Sequence, residues 1–159
     1  MKALVLVMAL AAAPVLGQER QTTVSENVTI AGEVQRSLTL GVEELRAIGK
    51  RRGIVEKDGY TGVRLIELLA EADIRQDARN ALRRTYVIAT ASDAYVAVFS
   101  WGELFNTLVG AGVLVAYERD GQPLRDGEGK IALVSLADEQ RGARHVKWLR
   151  RIEVKRVTD

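Results

Sequence analysis

Two Asp-Gly pairs, Asp58-Gly59 and Asp120-Gly121, each stand between short apolar or β-branched runs. Such a pair supplies the two positive-φ positions of a tight hairpin, so each predicts antiparallel strands joined locally. The runs around them are short: Ile54–Lys57 before the first pair, Val113–Glu118 before the second. Further strands are predicted over Thr22–Val34 (ending near Gly32), Ser37–Leu40, Tyr86–Thr90, Tyr95–Phe99, Lys130–Leu136 and Leu149–Val157. In the last of these Ile152 and Val154 point inward and Arg151, Glu153 and Lys155 outward.

Only three stretches carry helical spacing. Val42, Leu45 and Ile48 share one face, with Glu43 and Glu44 in the first turn and Arg46 and Lys50 near the end, matching the helix dipole. Leu65, Leu68, Leu69 and Ala72 define a second helix, which Tyr60-Thr61-Gly62 is expected to open, with Thr61 as its cap. Ser100-Trp101-Gly102-Glu103 fits a capping box for a third, carrying Leu104, Phe105 and Leu108 and stopping at Gly110 and Gly112. Arg75–Arg84 reads as a loop. Strands and helices alternate irregularly, which excludes regular parallel winding and predicts an α+β fold with mixed or antiparallel sheets.

Composition then narrows the chemistry. The 159 residues contain no cysteine and one histidine. Disulfides, thiolate metal sites, iron–sulfur clusters and a thiol nucleophile are excluded, as is any multi-histidine metal site. His145 as a general base has no companion motif: there is no nucleophile elbow and no phosphate-cradling glycine loop. Residues 1–17 join one lysine, an apolar run from Ala3 to Ala13, Pro14 and small residues at Val15 and Gly17. That order predicts a signal peptide, a mature start near Gln18, and export, to the periplasm on the simplest view. The run is about half of what a membrane-spanning helix needs, so no span is expected after cleavage. Residues 18–159 are expected to form one domain.

The charge is unevenly placed. From Arg141 to Arg156 seven Lys or Arg face one acid, Glu153. Within it Arg141, Gly142, Arg144, His145 and Lys147 form a candidate anion site: Gly142 lets backbone amides approach, and the side chains supply donors. Arg51 and Arg52 are further candidates. The same residues also suit a solvated charged face. Aromatics are too few, and the patch too small, for nucleic acid.

Five stretches in order resemble the molybdopterin-binding domain of the sulfite oxidase family. They are Leu38-Thr39-Leu40 with Glu44-Leu45; Tyr60-Thr61-Gly62-Val63-Arg64-Leu65 with Leu68-Leu69; Ser92-Asp93-Ala94-Tyr95; Val113–Glu118 with Asp120-Gly121-Gln122-Pro123-Leu124; and Arg141–Ile152, similar to the family's Gly-x-Lys-x-x-Lys-Trp-Leu signature. The resemblance implies that family's fold, and that the stretch around Arg144 and Lys147 lies against a pterin and its phosphate. It also implies a cysteine-held molybdenum, whose ligand belongs between the first helix and the Thr-Gly-Val stretch. Here that interval is Gly49–Gly59, and it contains no sulfur. Thiolate is the soft ligand such a metal takes, and neither Glu56 nor Lys57 replaces it. The expectation is therefore a binding module for a small anionic or pterin-like ligand, not a catalyst. The alternatives are an interaction module with an envelope protein partner, and an oxidoreductase holding molybdopterin without a cysteine.

Overall fold

A computed structural model describes residues 24–77 and 79–158; the expected signal segment, residues 1–17, lies outside them. Ten strands and three helices follow one another as β1 (Val28–Gly32), β2 (Leu38–Leu40), α1 (Val42–Arg52), β3 (Val55–Lys57), β4 (Tyr60–Arg64), α2 (Leu65–Ala72), β5 (Thr85–Ala91), β6 (Val96–Ser100), α3 (Trp101–Asn106), β7 (Val113–Arg119), β8 (Gln122–Pro123), β9 (Ala132–Ser135) and β10 (Leu149–Arg156). One sheet has the order β2-β1-β10-β5-β6. Its β1–β10 pair is parallel and the others antiparallel, so the sheet is mixed. The second sheet runs β3-β4-β7, with β8 on the far end of β7 and β9 along its first half. The fold is α+β, as the interspersed short runs imply.

These two Asp-Gly pairs sit at hairpin tips with positive φ at each residue, 51° and 80° at Asp58-Gly59 and 52° and 72° at Asp120-Gly121. The tips lie against each other: the Asp120 amide donates to the Gly59 carbonyl at 2.7 Å. Side chains from both sheets meet in one apolar cluster that includes Ile30, Leu45, Leu68, Phe99, Val115, Leu133 and Ile152. A smaller cluster, Tyr60, Leu114, Ala116, Leu124, Ala132, Val134 and Leu136, covers the other face of the second sheet.

Two local expectations are corrected. Tyr60–Arg64 is a strand, not a turn and cap: it pairs with β7 from Arg119 to Leu114, bulging between Thr61 and Gly62. A Cβ on Gly62 would stand 2.3 Å from the Val115 carbonyl oxygen, so glycine serves strand approach here. Thr61 is β-branched and suits either role, and cross-strand pairing decides it. The helix starts at Leu65, with Arg64 as its cap residue and no side-chain cap hydrogen bond. The third helix ends at Asn106, leaving Leu108 88 % exposed. Thr107 leaves helical geometry (φ −130°, ψ 170°), and its hydroxyl donates to the Glu103 carbonyl at 2.7 Å.

Candidate functional site

The connection from Leu124 to Ile131 is held by one aromatic residue. Trp148 donates through its indole Nε1 to the Asp126 carbonyl (2.8 Å) and through its amide to the Glu128 carbonyl (2.8 Å). Gly129, at φ +82°, passes so close that a Cβ there would stand 2.8 Å from Trp148 Cδ1. The loop is thereby pinned, and its Glu128 side chain is only 12 % exposed.

A carboxylate so buried needs partners, and two strands supply them on a single oxygen. Glu128 Oε1 accepts from the Tyr60 hydroxyl at the start of β4 (2.9 Å) and from Arg119 Nη1 at the end of β7 (3.2 Å). His145 Nε2 lies 3.8 Å away, beyond hydrogen-bond reach, and is itself buried without a partner. The Arg119 guanidinium also covers the Tyr60 ring at 5.0 Å, and the His145 ring meets Tyr60 edge-on at 5.9 Å. Burial, followed by the Glu128 hydrogen bond, pushes the Tyr60 hydroxyl up to about 12. Burial also pushes the His145 imidazole below its ordinary value; Glu128 opposes this, while Lys147 and Arg119 add to it. At neutral pH Tyr60 is therefore protonated and His145 uncharged.

Outside this cluster opens a cavity of about 520 Å³, walled by Arg119, Asp120, Gln122, Pro123, Arg125, Gly127, Glu128 and Lys147. Arg119 is ion-paired to Glu128 and lies 3.9 Å from Asp120. Among the described residues Arg125 and Lys147 have no ion-pair partner. The cavity thus presents two uncompensated cations and a third that is shared.

The residues read from sequence separate into two groups. Lys147 lines the cavity, and His145 reaches it through Glu128. Arg141 pairs with Asp58 at the neighbouring hairpin tip (3.0 Å). Gly142, at φ +103°, has open space where a Cβ would stand, and its carbonyl accepts from the His145 amide (3.1 Å). Arg144 is committed elsewhere. It forks onto both oxygens of Asp138, Nε at 2.8 Å from Oδ2 and Nη2 on Oδ1, while Nη1 donates to Glu103 at 2.6 Å. Its guanidinium lies 4.5 Å over the Phe99 ring. Asp138 holds the guanidinium even more firmly protonated, and Arg144 in turn holds the Asp138 carboxyl below its usual range. Arg51 and Arg52 pair with Glu71 of α2 and do not line the cavity.

Sequence reasoning missed Arg119, Arg125 and Glu128, and read Tyr60 only as local structure. The one available signal was position: Arg119 adjoins a hairpin turn, and Arg125 and Glu128 lie in the loop it feeds. Nothing in the spacing of residues 60, 119, 128 and 145 announces that they meet.

A family model described as the oxidoreductase molybdopterin binding domain matches residues 47–158. Mitochondrial sulfite oxidase from Macaca fascicularis is 31 % identical over 122 residues, which is 76 % of this chain and 22 % of that protein. The Mus musculus protein is 32 % identical over 123 residues, again 22 % of its length. The chain therefore spans about a fifth of these curated relatives. The solved structure of the sulfane dehydrogenase SoxCD from Paracoccus pantotrophus superposes with a TM-score of 0.58 at 22 % identity, covering 80 % of this chain and 37 % of that one. That likeness shows a shared fold.

Proposed function

Because the chain belongs to the oxidoreductase molybdopterin-binding domain family, we propose that it is an exported binding module without oxo-transfer activity, taking a small anionic or pterin-like ligand in the cavity beside Lys147. The observation that carries this reading is the pair of unpartnered cations, Arg125 and Lys147, at a cavity of about 520 Å³, a size suited to a small molecule.

The donor set does not fit the family's metal. No thiolate exists anywhere in the sequence, and among the described residues no three His, Asp or Glu converge on one point. The cations beside the cavity fit the anionic, non-metal part of such a ligand. Calorimetric titration of the protein with molybdopterin and with sulfate tests the reading. Binding is expected, weakened roughly tenfold by Arg125→Ala and by Lys147→Ala, since each removes one charge-assisted contact. Equal binding in both variants removes the cavity as the site. Export is tested by N-terminal sequencing of protein from the periplasmic fraction, with a start near Gln18 expected.

A second reading, an interaction module for an envelope protein, draws on β6. This strand ends its sheet and exposes Val96 and Val98, an unblunted edge of the kind that pairs with other chains. Photo-crosslinking from Val98 in intact cells that recovers one reproducible protein would support it, and crosslinks to nothing would remove it.

A further inference from the structure

Resting on the reading of the cavity as an anion site, we propose that a small oxyanion binds there together with one proton, which is taken up by His145 and offsets the charge of Glu128. Glu128 then sets the pH at which the site accepts its ligand.

An anion entering this cavity meets an electrostatic conflict. Glu128 forms part of the cavity wall, so any oxyanion drawn in by Arg125 and Lys147 arrives beside a carboxylate. It must also share Arg119, whose guanidinium is already engaged by Glu128. Two anions competing for one cation in a partly dry site repel each other. Adding one positive charge beside Glu128 relieves both problems together.

The cluster has one place where a proton does this. Tyr60 already donates a hydrogen bond to Glu128 Oε1 and, being neutral when protonated, cannot supply a positive charge. His145 Nε2 is buried and unpartnered, 3.8 Å from the same oxygen. A protonated imidazole closing that gap by about 1 Å forms a charge-assisted hydrogen bond and competes with Arg119 for Oε1. Arg119, half exposed at the cavity, is then released toward the ligand. The charged and titratable groups facing His145 are Glu128 from the loop after β8, Arg119 from β7, Tyr60 from β4 and Lys147 two residues along its own segment. Lys147 and Arg119 disfavour the imidazolium, and an oxyanion lying between those two cations screens both.

The direction follows from linkage. In the free protein burial keeps His145 neutral at pH 7. If the bound anion favours the protonated ring, then protonation must favour the anion by the same factor. Affinity rises as pH falls below the ordinary histidine value, and levels off once the ring is protonated in both states.

Sulfate is the probe, because it does not titrate between pH 5 and 8. Its affinity for the whole protein is measured by calorimetry across that range, in two buffers of different ionisation heat. We expect affinity to rise by up to tenfold per pH unit on acidification, with uptake approaching one proton per sulfate. His145→Gln should bind with no pH dependence, and Glu128→Gln should bind tightly at every pH. The chain has a single histidine, so its imidazole resonance is unambiguous, and saturating sulfate should raise its midpoint by about two pH units in the unmodified protein, the shift that uptake approaching one proton requires. Sulfate binding without proton uptake, with an unmoved imidazole midpoint, overturns the coupling and leaves the anion site standing. No sulfate binding anywhere from pH 5 to 8 overturns the anion site and the coupling with it.

Discussion

Replacing Arg144 with alanine should cost the protein about 3 kcal/mol of stability. The side chain makes a two-pronged contact with Asp138 and a third hydrogen bond to Glu103, and its guanidinium lies over Phe99. Arg144 and Asp138 are 22 % and 9 % exposed, and Glu103 is 30 % exposed. Removing one member of a fully buried ion pair costs about 3–5 kcal/mol, because the other charge is stranded. The openness of Glu103 brings the expectation to the lower end of that range. Among the described residues Asp138 then keeps only the Ser135 hydroxyl at 2.7 Å as a donor. For a chain of this length about 3 kcal/mol corresponds to a midpoint roughly 9 °C lower. With a urea slope of about 2 kcal/mol/M, the denaturation midpoint falls by about 1.5 M. Urea unfolding followed by tryptophan fluorescence measures this directly. Arg144→Lys keeps the charge but loses the fork, and should fall between the two. Adding Asp138→Asn to Arg144→Ala should recover part of the loss by removing the stranded carboxylate. A loss under about 1 kcal/mol, or a double variant no more stable than Arg144→Ala alone, would refute the stranded-charge argument.

Gly129→Ala should destabilise by about 2 kcal/mol or more, since the new Cβ meets Trp148 at 2.8 Å and φ is +82°; thermal unfolding reads it. Ser100→Ala removes the oxygen that accepts from the Glu103 amide at 3.0 Å, at a cost of about 1 kcal/mol in the same assay. Asp138 titrates below its ordinary range because Arg144 hydrogen-bonds it. Its contribution to stability is therefore complete above about pH 4 and is lost as pH falls further, through the folded-state value. Urea midpoints across pH 2–6 should show that acid limb, and the Arg144→Ala protein should show less of it.

Local chemistry made most of the fold legible. The two Asp-Gly hairpins, the dipole-matched charges of α1 and the alternation of β10 all depend on neighbours in sequence, and each appears where the residues place it. Tyr60–Arg64 was misread because Thr and Gly carry two meanings, and only the long-range partner, β7, distinguishes them. The site divides in the same way. The basic segment drew attention to Lys147 and His145, which do face the cavity cluster. It equally drew attention to Arg144, whose charge is taken up by Asp138 and Glu103. A positive charge in a sequence does not say which carboxylate it will meet. Nothing in the sequence marks Glu128, one acid between Arg125 and Lys130, and only Trp148's grip on its loop turns it inward.

The position of β10 has a kinetic consequence. This strand lies in the middle of its sheet, parallel to β1 and antiparallel to β5, yet it is the last of the described strands in sequence. Until it arrives, β1–β2 and β5–β6 are two separate ribbons with no hydrogen bonds between them. The chain must hold both ends of the future sheet apart while more than a hundred residues separate β1 from its partner. Contacts of such long sequence separation slow folding. Cleavage or premature termination just before Leu149 would leave not a shortened domain but two unpaired ribbon edges, each free to join the wrong chain.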